Sequence, residues 1–150
     1  SAFLLSRSSD LEIGIKDWCI LRVDDRLISL TGNCGRLCIV TEKDLLLNQR
    51  VGLLYCETNK KEFAYRLLCS TEFQTICSNL AKGAAQANLS PVELCKQYSM
   101  LPPEIVLSAF SSKLKPLIEH YTINEQQNAI LTKQRDELLP LLMNGQVTIE

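Results

Sequence analysis

The sequence predicts an α+β fold: a small mixed β-sheet with flanking helices, followed by a long projecting C-terminal helix. Three observations predict it. Short apolar and β-branched runs, separated by turn residues, fill residues 18–56. Helical periodicity with capping signals takes over across residues 60–96. No turn signal then interrupts the chain from Pro103 to Gly145. As a helix that stretch would span roughly 60 Å, against a radius of gyration of about 15 Å for a domain of this size. It must project, bend or pack against another helix.

The elements follow in order. Trp18-Cys19-Ile20-Leu21-Arg22-Val23 is a strand candidate, and Asp24-Asp25 turns the chain. Leu27-Ile28-Ser29-Leu30-Thr31 and Arg36-Leu37-Cys38-Ile39-Val40 are two further strands. Gly32-Asn33-Cys34-Gly35 joins them, with glycines where a tight turn needs positive φ. Residues 51–56 form a fourth strand. Asn59 is a candidate N-cap for a helix whose apolar face is Phe63, Ala64, Leu67 and Leu68. Thr71 with Gln74 resembles a capping box that restarts the helix, and Gly83 ends it. Residues 83–88 are a small polar loop. Ser90-Pro91-Val92-Glu93 is a second capping box with proline at the first helical position. Residues 98–100 are expected as a last strand before Pro102-Pro103. Pro103 suits a first helical turn, and Gly145 suits the left-handed position past a helix end.

The long helix carries a heptad line through Leu117, Tyr121, Asn124, Asn128, Leu131, Arg135, Leu138 and Leu142. It is apolar at its ends and polar in the middle. Polar seam residues lower stability but fix register and partner, so this line is expected to pair with another helix rather than with a globular core. Pro116 and Pro140 each remove a helix hydrogen bond and are expected to kink it.

Composition is that of an ordinary globular chain: 150 residues, 46% hydrophobic, 22% charged, net charge −1. No apolar run approaches the roughly twenty residues of a membrane span, and no signal peptide is visible. Cytoplasmic residence without membrane contact is expected. Seven cysteines are an odd count, and no pair has zinc-knuckle spacing. Cys19, Cys38, Cys56, Cys69 and Cys77 read as small buried hydrophobes in a reducing compartment. His120, the only histidine, has no ligand cluster around it. No Walker loop, dinucleotide fingerprint or nucleophile elbow is present. The residues therefore point to a non-catalytic binding module without a cofactor. Two rivals are a protein-binding helical adaptor without DNA contact, which suits the acidic pI, and an enzyme using Cys34 as nucleophile, which lacks an adjacent histidine base.

Four motifs go further. They are the strand–turn–strand from Leu27 to Val40, Asn48-Gln49-Arg50-Val51, Gly83-Ala84-Ala85-Gln86-Ala87-Asn88-Leu89-Ser90, and Leu101-Pro102-Pro103 followed by Leu131, Arg135-Asp136, Leu138-Leu139-Pro140, Leu142 and Gly145. In this order and spacing they resemble the specificity subunit of type I restriction–modification systems, from about residue 25 to residue 146. The matching region is the latter part of one target-recognition domain plus the helix that follows it. Residues 1–24 match poorly, and the usual glutamate–glutamine pair after the double proline is replaced by Glu104-Ile105-Val106.

The resemblance implies residues 1–101 as a target-recognition domain, incomplete at its start, and 102–150 as a conserved helix. A complete subunit usually carries two recognition domains separated by two antiparallel helices, so this chain is expected to be a fragment or half-subunit. The implied partners are double-stranded DNA, the methyltransferase (modification) subunit and the restriction (nuclease and translocase) subunit. A homodimer through the long helix would substitute for the missing second half. Groups suited to bases and phosphates lie at Thr31, Asn33, Arg36, Gln49, Arg50, Lys82, Gln86 and Asn88. Gln86 and Asn88 suit loop hydrogen bonding equally well, and the glycines suit turn geometry.

Overall fold

The computed structural model describes residues 6–7, 16–81 and 88–146. Its strands are β1 (Ser6–Arg7), β2 (Arg26–Ser29), β3 (Leu37–Ile39), β4 (Leu45–Leu46) and β5 (Val51–Leu53). Its helices are α1 (Lys61–Leu68), α2 (Thr71–Leu80), α3 (Pro91–Cys95) and α4 (Glu104–Met143). The architecture is α+β, as expected. The sheet expected as mixed is antiparallel in every described pairing.

β2 is the centre of a three-stranded sheet of order β3-β2-β5. Arg26, Leu27 and Ile28 face Ile39, Cys38 and Leu37, while Leu27, Ile28 and Ser29 face Leu53, Gly52 and Val51. Successive side chains of a strand leave on opposite faces, and β2 is apolar on both. Leu27 packs with Leu21, Val40 and Val51 on the face shared with Leu45. Ile28 packs with Leu68, Phe73, Cys77 and Leu89 on the helical face. The sheet is thus covered on both sides, which explains the unbroken apolar run of β2.

Several local expectations change. Residues 18–23 do not form a strand: Asp17–Cys19 is a single 3-10 turn, and Ile20 makes one isolated bridge to Leu46. Tyr98 and Met100 are almost fully exposed with no strand partner among the described residues, so no last strand forms. Lys60, not Asn59, sits at the N-cap of α1, and the Asn59 amide donates instead to the Glu104 carboxylate. α2 is capped by Ser70, whose hydroxyl accepts from Phe73 N, one residue before the expected Thr71. Ser90 caps α3 as expected, with Pro91 in the first turn. Of the five cysteines expected to be buried, only Cys77 is; Cys19, Cys38, Cys56 and Cys69 are half-buried. All seven thiols are free.

A buried charge network joins β2 to α1. The Arg26 side chain is 0% exposed and donates to both oxygens of Glu62, at 2.9 and 3.0 Å. It also pairs with Asp24 at 2.8 Å and stacks on the Tyr65 ring at 5.1 Å. Lys61 closes the network on Asp24 at 2.7 Å. Asp24 adopts φ 78° at the turn before β2, a conformation that aspartate tolerates better than most residues. Burial lowers the Arg26 pKa, but the hydrogen bonds it donates to Asp24 and Glu62 outweigh this and hold the guanidinium above its ordinary value.

α4 runs through both prolines as one helix of 40 residues, about 60 Å long. Gly145 takes φ 67° just past its end. Leu107, Ile118 and Thr122 are buried, with Ser111 and Leu114 half-buried between them. This stripe packs on α1: Phe63 meets Phe110 edge to face at 6.4 Å, and Ser111 Oγ donates to Asn59 O at 2.9 Å. Gln126 Nε2 reaches Thr41 O at 2.7 Å. From residue 123 to residue 143 every position is exposed. The helix therefore does both things that the sequence allowed. Its first half covers the domain, and its second half extends without cover.

Candidate functional site

The antiparallel register fixes what lies at each end of the sheet. At the Arg26 end stand the charge network, the start of α1 and the contact of α4 with Thr41. At the Ser29 end the chain enters β3, enters β5 and returns at Leu89. Ser29 N donates to Arg36 O at 2.8 Å, Leu30 N to Arg50 O at 2.9 Å, and Leu89 N to Leu30 O at 2.7 Å. Thr31 and Asn88 form an isolated antiparallel bridge. Three stretches thus meet at one end of β2, because each is hydrogen-bonded to Ser29 or to Leu30 just past it.

Six predicted site residues lie on these stretches. Asn33, Arg36, Gln49, Arg50 and Asn88 are exposed, and Thr31 is half-buried. Residues 30–36, 47–50 and 88–90 include the arginines Arg36 and Arg50 and no carboxylate. Neither arginine is in an ion pair among the described residues. These three stretches therefore carry positive formal charge despite the net −1 of the chain. Lys82 and Gln86 lie outside the described residues. Their described flanks, Ala81 and Asn88, both belong to this end, through the pocket described next and the bridge to Thr31.

The β2–β3 turn is tightly held. Gly32 and Gly35 take φ 72° and 82°, as their residue type allows. Ser29 Oγ accepts from Arg36 N at 3.1 Å and donates to Asn33 O, closing the turn on itself. In the next loop, Asn48 Oδ1 accepts from Arg50 N at 3.0 Å and orders the entry to β5. A pocket of about 340 Å³ opens between the turn and α2, lined by Asn33, Cys34, Arg36, Gln74, Ser78 and Ala81. Gln74 and Ser78 were missed from sequence, where Gln74 reads as a capping residue. Its i, i+4 relation to Ser78 on one helix face was the available signal.

The side chains gathered here are hydrogen-bond donors and acceptors. Cys34 donates its thiol hydrogen to Leu30 O at 3.2 Å, and the chain's one histidine, His120, sits exposed on α4. Burial pushes the Cys38 thiol up to about 11, so it remains protonated near neutrality. Among the described residues no three His, Cys, Asp or Glu side chains group to hold a metal. No helix among them is long and apolar enough to cross a membrane.

The predicted helix line is exposed throughout. Leu117, Tyr121, Asn124, Asn128, Leu131, Arg135, Leu138 and Leu142 are all exposed. Arg135 bonds its neighbour Asp136 at 2.7 Å. Leu117 and Tyr121 flank the stripe that packs on α1, whereas Asn124 to Leu142 lie on the uncovered half.

Two curated relatives align with most of the chain. Over 107 residues it is 29% identical to the Type I restriction enzyme MjaIX specificity subunit of Methanocaldococcus jannaschii, covering 70% of this chain and 22% of that protein. Over 110 residues it is 28% identical to the Type I restriction enzyme HindI specificity subunit of Haemophilus influenzae, covering 72% and 24%. The chain is similar to type I specificity subunits, and it spans under a quarter of the length of these relatives. No family model matches, and no solved structure does.

Proposed function

We propose that this chain is the DNA-reading part of a type I specificity subunit, acting without catalysis of its own. In this reading residues 1–101 recognise one half of a split target. Residues 102–150 supply the helix that pairs with another helix and positions the modification and restriction subunits. One coincidence carries the proposal: a chain similar to specificity subunits over about 70% of its length also gathers its polar loops at one end of β2. Arg36 and Arg50 have the forked donors that match guanine O6 and N7, and Asn33, Gln49 and Asn88 have the amide pair that matches adenine. Thr31 and the turn backbone suit phosphate oxygens. Lys82 and Gln86, outside the described residues, are proposed as DNA contacts by their residue type alone.

The helix at the far end keeps partner contacts away from the DNA-facing loops. Its uncovered heptad line supports a homodimer through Asn124, Asn128, Leu131, Arg135, Leu138 and Leu142, with Leu117 and Tyr121 at the margin. An antiparallel two-fold pair would set two reading ends apart, as a split target requires.

The test is selection of duplexes from a random pool by the chain together with its modification partner. Enrichment of a short fixed motif, lost in Arg36→Ala and Arg50→Ala while assembly persists, is the expected result. Each arginine that contacts phosphate should also reduce the salt slope of binding by about 1. A wild-type complex that binds no duplex at low salt would overturn the proposal in favour of a protein-binding adaptor.

A further inference from the structure

The geometry points to Gln74, on α2, as the positioning residue that holds the β2–β3 turn in its DNA-facing conformation; this rests on the DNA reading proposed above. Its carboxamide is the side-chain hydrogen bond from α2 to the turn among the described residues. Gln74 Nε2 donates to Gly35 O at 2.8 Å and to Leu68 O at 2.8 Å. One amide therefore ties the turn to the end of α1 and to the first turn of α2 together. Both N–H bonds are used, so the group has no freedom to rotate without losing one.

The contact beneath it is equally close. A Cβ built on Gly35 would lie 2.7 Å from Cys77 Cβ and 3.5 Å from Gln74 Oε1. The Gly35 backbone is thus pressed flat on α2, and Cys77 is fully buried under it. Gly35 has two jobs here: it supplies positive φ, and its missing side chain allows this approach. Asn33 and Arg36 lie on either side of that anchor point, and both line the pocket that Gln74 and Ser78 also line. An arginine fork discriminates a base only when its plane is held in register with the base edge. A turn fixed by Ser29 alone would be closed on itself but free to tilt. The bond from Gln74 to the Gly35 carbonyl removes that tilt.

Three variants of the full chain test this. Gln74→Met keeps the length and removes the donor. Gln74→Glu keeps an acceptor but places a carboxylate against two carbonyl oxygens. Thr75→Ala is the control: its hydroxyl bonds back to Thr71 O at 2.8 Å within α2 and does not touch the turn. Amide hydrogen exchange reads the turn without DNA. Cys34 N and Gly35 N, which bond to Gly32 O and Ser29 O at 2.9 Å each, should exchange on the order of tenfold faster in both Gln74 variants. Leu54 N, bonded to Arg26 O at the far end, should be unchanged.

In the assembled complex, the ratio of affinity for the selected duplex to that for random duplex should fall about tenfold, with random-duplex affinity and its salt slope unchanged. Thr75→Ala should alter neither. Unchanged turn amides, or equal acceleration at Leu54, would overturn the inference and leave Gln74 an ordinary packing residue. A loosened turn with an unchanged affinity ratio would overturn its role in reading. A wild-type complex that selects no sequence would instead bring down the proposed function, while the exchange result still decides whether Gln74 holds the turn.

Discussion

Removing the Glu62 carboxylate should be among the most damaging single changes to this domain. Arg26 is 0% exposed and Glu62 only 8%, and the pair is bidentate at 2.9 and 3.0 Å. In Glu62→Ala the guanidinium stays buried and keeps only Asp24, whose side chain is 46% exposed and shared with Lys61. Arg26 Nε already has no partner, so no spare acceptor stands ready. Breaking a buried pair from one side costs about 3–5 kcal/mol. That is a large fraction of the roughly 5–15 kcal/mol that holds a typical domain. With a urea m-value of about 1–3 kcal/mol/M, the midpoint should fall by about 1 M or more, read by circular dichroism at pH 7. The pair itself is a different matter. Replacing both partners, as Arg26→Met with Glu62→Leu, removes two desolvated charges and should return stability to within about 1 kcal/mol of wild type. A loss below about 1 kcal/mol in Glu62→Ala would mean the pair behaves as a surface salt bridge. A double variant no more stable than the single would equally refute the reasoning.

Three further outcomes are expected. Burial pushes the Asp24 carboxyl up, but hydrogen bonds from Lys61 and Arg26 outweigh it and hold it below the ordinary aspartate value. The unfolded chain therefore takes up this proton first as pH falls. Its stabilisation is complete above the ordinary value of about 3.9 and is lost through the lower folded one, so Asp24→Asn should flatten the acid limb of a stability–pH curve. Gly35→Ala should destabilise by about 2–3 kcal/mol, through φ 82° and the 2.7 Å approach to Cys77. Gly32→Ala, with φ 72° and nothing within 4 Å, should cost about 1 kcal/mol in the same urea titration. Leu131→Asp with Leu138→Asp should leave the melting temperature of the domain unchanged and convert a sedimenting dimer to monomer. A wild-type chain that sediments as monomer at high micromolar concentration would refute the pairing.

What the sequence showed depended on how local the determining physics was. β2, β3 and the glycine turn between them were legible because strand alternation and positive φ are read from neighbouring residues. α3 was legible from Ser90 and Pro91, and α4 from Pro103 and Gly145 at its ends with no turn signal between them, despite Pro116 and Pro140. Capping shifted by one residue at α2, where Ser70 and Thr71 are chemically alike and only geometry chooses. β4 was missed because Leu45–Leu46 is too short to show a period; its pairing is set by β1 and Ile20. The 98–100 segment has strand composition but no strand partner among the described residues, and composition alone does not make a strand. The Arg26–Glu62 pair was invisible because its members are 36 residues apart and each reads as an ordinary surface charge. The candidate site was legible as a set of loops. Gln74 was not, because a capping box explained it well enough.

The uncovered half of α4 has a consequence for how assembly would be sensed. Thr122 is the last buried position, and beyond the bond from Gln126 to Thr41 O every helix position is exposed. An unsupported helix shorter than about 12–15 residues is marginal in water, and one of about twenty gains only modestly on it, since most helical stability in proteins comes from an apolar face meeting a partner. Leu131, Leu138 and Leu142 have that face and no cover. The helix–coil balance of this arm is thereby tied to the mass-action law of its partner: dilution frays it and association completes it. A protease that cuts only frayed chain would then act as a gauge of assembly, trimming lone copies back toward the domain and sparing joined ones.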